Sequence, residues 1–166
     1  MAELTQHQLI AELSREIVMN VAPEELPIFR AQSEAYFKNP KKLLARKVGK
    51  DDMLGFGAGE AVAFLTPFIL AVMSDVVTFL TDEIRKALKG EAASLITRTV
   101  KSLFKTRDPA ADQDDKTEEK EEEKRMSLTA EQLDQVREIV LSRARQLKIA
   151  EVKADLLANS IVGSLL

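Results

Sequence analysis

The sequence predicts an all-α protein: a helical bundle around a hydrophobic central helix, plus a two-helix C-terminal module. Three observations carry this. Gly and Pro are few, with six and five in 166 residues, which disfavours a turn-rich β fold. Apolar residues recur at three- and four-residue spacing over most of the chain. The stretch Leu54–Leu80 has no charged side chain between Ala61 and Met73. A helix apolar on every side must be enclosed, by protein or by lipid.

The elements follow in order. Thr5 to Val21 reads as a first helix, with Leu9, Ile10, Leu13, Ile17 and Val21 on one stripe. Thr5 and Gln8 form a capping box at its start. Pro23 or Pro27 opens a second helix, because a proline in the first turn gives up no needed N–H. Ile28, Ala31 and Ala35, with Phe29, Gln32 and Tyr36, are its expected apolar face, and Asn39-Pro40 stops it. Lys41 to Asp52 holds five bases in its first ten residues. A solvated short helix or loop explains that run better than a phosphate or lipid contact.

Gly55, Gly57 and Gly59 superficially suggest a dinucleotide loop. The preceding strand, the third glycine at the required spacing and the βαβ unit that would carry the distal acid are missing. Counting in fours is more informative: Gly55, Gly59, Ala63, Pro67 and Ala71 form a ridge of small residues for close helix packing. Pro67 allows two geometries, one kinked helix or a new helix in which Thr66 and Pro67 are N-cap and N1. Thr81 to Lys89 carries the helix into water, with Gly90 as its end. Ser94 to Lys105 is a further amphipathic helix on Leu95, Ile96, Val100, Leu103 and Phe104.

Residues 107–126 carry nine acids and five bases and lack a large apolar anchor until Met126. They read as a charged, disordered linker between a 1–106 bundle and a 127–166 hairpin. In the hairpin, Thr129 and Gln132 form a second capping box. Leu133, Val136, Val140 and Leu147 form one stripe, and Leu157, Ile161 and Leu165 continue it after a turn near Lys148-Ile149. Two helices of this size bury too little to be stable alone, so the stripe is expected to dock onto the first domain, onto its own copy or onto a partner. The linker's length favours a partner in trans.

Little in the chain suggests catalysis. His7 is the single histidine and there is no cysteine, so a triad or a thiolate metal site has no parts. Neither a cofactor nor a small-molecule substrate is expected. The net charge of −3 gives no field directed at nucleic acid. Glu60 and Asp75 are the acids expected in apolar surroundings, in structural roles such as holding a helix start or pairing with Arg46 or Arg98. The lack of cysteine and of a secretory signal fits the cytoplasm. Membrane lipid is the alternative partner. Eleven Leu, Ile, Phe and Val residues between Ala61 and Leu80 favour insertion by about 3–7 kcal/mol. Asp75 returns about 2.5–3.5 kcal/mol of that, and Pro67, Ser74 and two threonines weaken it further.

The run TPFILAVMSDVVTFLTDEIRKALKGEAASLITRTVKSLF, a charged linker, and LTAEQLDQVREIVLSRARQLKIAEVKADLLANSIVGSL together resemble a layout in prokaryotic conflict and stress-signalling proteins. There a hydrophobic helical unit is joined to a short helical adaptor tail. The resemblance covers residues 60–166 and implies an effector or adaptor without an active site. The expected function is a non-catalytic protein that self-associates or docks a protein partner through its C-terminal hairpin. The alternative is a membrane-active effector that inserts residues 54–80.

Overall fold

The computed structural model describes residues 5–45, 64–104 and 127–166. Seven α-helices make up the described residues, with no strand among them. They are α1 (Gln6–Val21), α2 (Leu26–Lys38), α3 (Pro40–Ala45), α4 (Thr66–Ala87), α5 (Ala93–Leu103), α6 (Ala130–Gln146) and α7 (Glu151–Leu165). A 3-10 turn, Pro23–Glu25, links α1 to α2.

Helix α4 is the axis. Ile69 to Met73, Val76, Val77 and Leu80 are all fully buried. Helices α1, α2, α3, α5 and α6 pack around it, and α7 packs on α6 and α1. One hydrophobic core joins residues of both halves of the chain, from Leu9 to Leu165. Ser74 and Thr78 of α4 are satisfied within the helix. Ser74 Oγ donates to Leu70 O at 2.7 Å and Thr78 Oγ1 donates to Ser74 O at 2.8 Å.

Of the two geometries open to Pro67, the fold uses the second. Phe64 and Leu65 are not helical, α4 begins at Thr66, and Pro67 lies in its first turn. The cap differs from the expected one. Thr66 does not cap through its own side chain; it donates to Glu25, which arrives from the α1–α2 turn.

The inward face of α2 is also corrected. Phe29, Ser33 and Tyr36 are buried, while Ala31 and Ala35 are exposed. Against α4 the bulkier aromatic stripe is buried in preference to the two alanines, because it removes more apolar surface from water. Ser33 meets its own need through a 3.0 Å bond to Arg30 O.

Both capping boxes form. Gln8 N donates to Thr5 Oγ1 at 3.2 Å, and Gln132 N donates to Thr129 Oγ1 at 3.1 Å. The α6–α7 turn closes as a Schellman motif, with Ile149 N donating to Ala144 O at 2.9 Å and Lys148 N to Arg145 O at 3.1 Å. Lys148 adopts φ +59°, a left-handed conformation that costs an L-residue energy and glycine almost none. Lys148→Gly is therefore expected to stabilise the fold by about 0.5–1 kcal/mol, read as a higher urea midpoint at unchanged m-value.

Candidate interaction surface

The predicted docking stripe faces inward. Val136, Val140, Leu157 and Ile161 are fully buried and Leu165 nearly so. Leu133 and Leu147 are half-buried against the same core. What they pack on is this chain's own α4 and α1 rather than a partner. Of the small-residue ridge, Pro67 and Ala71 are buried within α4. Gly55, Gly59 and Ala63 lie outside the described residues.

Polar contacts fix the register of the hairpin on the bundle. Near the start of α6, Gln132 Nε2 donates to Glu83 Oε2 at 3.1 Å. Near its end, Arg143 Nε lies 3.4 Å from Asp75 Oδ2. Glu83 is late in α4 and Asp75 is early, so α6 runs antiparallel to α4. Within the hairpin, Arg137 Nη2 donates to Asn159 Oδ1 at 2.6 Å. The expected partners of Asp75 are corrected here: Arg143 takes the role, Arg98 is exposed on α5, and Arg46 lies outside the described residues.

The two carboxylates on this interface shift in opposite directions. Burial raises the Asp75 carboxyl above its ordinary value of 3.8, and the Arg143 charge offsets this only in part. Hydrogen bonds from Gln132 and then Lys86 lower the Glu83 carboxyl. Asp75 therefore binds its proton more tightly folded than unfolded. Its contribution to stability is greatest below 3.8 and is lost as pH rises through the raised folded value. Asp75→Asn removes that dependence. The variant is expected to gain stability relative to the wild type between about pH 4 and pH 7, measured as urea midpoints across the range. A constant difference would contradict this sign.

No metal-binding group of three His, Cys, Asp or Glu residues occurs among the described residues. His7 is exposed and stacks on Phe37, with centroids 4.5 Å apart. No helix among the described residues is long and apolar enough to cross a membrane.

Among the described residues, the outer face of α7 exposes two large apolar side chains one turn apart. Val152 is 81% exposed and Leu156 47%. Next to that face, a groove of about 640 Å³ lies between α1 and α7, bordered by Met19, Asn20, Asn159 and Gly163. A Cβ placed on Gly163 would meet nothing within 4 Å. Both apolar stripes of α7 can be read from spacing in the sequence. Which one turns inward depends on α1 and α4, and spacing within α7 does not carry that information. Comparison with protein-family models, curated proteins and solved structures finds no match to this chain.

Proposed function

We propose that this chain is a non-catalytic helical interaction protein that associates through its C-terminal hairpin. The docking surface is the outer face of α7, because the inner stripe is already occupied by α4 and α1. One observation carries the reading: α7 is apolar on two faces. Ala154, Leu157, Ala158 and Ile161 point into the core, while Val152 and Leu156 meet solvent. Val152 and Leu156 lie one turn apart on the outer face, and covering them with a partner would remove their apolar surface from water. The mixed, near-neutral charge of residues 127–166, five acids and five bases, suits a protein partner.

The absence of cysteine makes a direct test available. Val152→Cys places one thiol on the proposed surface. Its maleimide labelling rate is compared in dilute pure protein, concentrated pure protein and cell extract. Glu24→Cys, at an exposed site in the α1–α2 turn, is the control. Slower labelling of the Val152 position, relative to the control, in concentrated protein or in extract is the expected result. Equal rates in all three conditions would remove the case for this surface.

A further inference from the structure

We draw no further inference here: the strongest candidate, the groove of about 670 Å³ between α4 and α6 lined in part by Phe79, Ile139 and the acids Asp75, Asp82 and Glu138, is a cluster of acidic side chains beside two apolar ones, and nothing in the structure shows what covers it.

Discussion

Glu25→Ala is expected to lower stability by about 3 kcal/mol and the melting temperature by roughly 6–12 °C. The carboxylate is 4% exposed. Its Oε2 accepts from Leu65 N at 2.9 Å, and its Oε1 accepts from Thr66 N at 2.9 Å and Thr66 Oγ1 at 2.8 Å. These backbone donors sit at the start of α4, where no intrahelical acceptor exists. The helix dipole adds to the attraction for a negative group there. Alanine would leave the Thr66 donors buried without their acceptor, on the helix that every neighbour packs against. Hydrogen bonds to a charged group contribute about 1.5–3 kcal/mol each, and three sharing one carboxylate fall short of additive. Thr66→Val removes only the hydroxyl and is expected to cost about 1 kcal/mol. A double-mutant cycle on the two would report their coupling. Glu25→Ala within 1 kcal/mol of wild type would mean that the cap is dispensable.

This clamp marks the limit of what local spacing encodes. Thr5 with Gln8, and Thr129 with Gln132, are capping boxes whose partners lie three residues apart, so spacing alone makes both legible. The stripes of α1 and α6 are legible for the same reason. Glu25 lies forty residues from Leu65, in a segment that reads as an ordinary acidic helix start. Nothing local separates it from Glu24, which is exposed. Asp75 is legible as an acid in apolar surroundings, but its partner Arg143 belongs to the far side of the charged stretch. The same limit explains the hairpin. Spacing identifies Leu133, Val136, Val140, Leu147, Leu157, Ile161 and Leu165 as a face that must be covered. The cover is α4 and α1, and it is revealed only by tertiary packing.

Removing residues 127–166 is expected to abolish cooperative unfolding of the remaining chain. The hairpin contributes Val136, Val140, Leu157, Ala158, Ile161 and Leu165 to the shared core. Burial of one large aliphatic side chain contributes about 1.5–3 kcal/mol, and the whole stability of a domain is only about 5–15 kcal/mol. Losing the hairpin also bares the flank of α4 that packs on α6. The shortened chain should bind a hydrophobic dye and melt without a sharp transition. Adding residues 127–166 as a separate peptide should restore the transition with saturating dose dependence. A subtler substitution tests the same coupling without truncation. Leu157→Ala leaves a cavity and is expected to cost about 2–5 kcal/mol. Tyr36 is the only tyrosine and is buried in α2, on the part of the core contributed by the N-terminal helices. Its fluorescence therefore reports unfolding of the bundle rather than of the hairpin. If the two halves share one cooperative core, Leu157→Ala shifts the Tyr36 transition and the far-ultraviolet helical signal to the same lower urea midpoint. A Tyr36 midpoint that stays in place while part of the helical signal melts early would instead make the hairpin an independent module resting on a self-sufficient bundle.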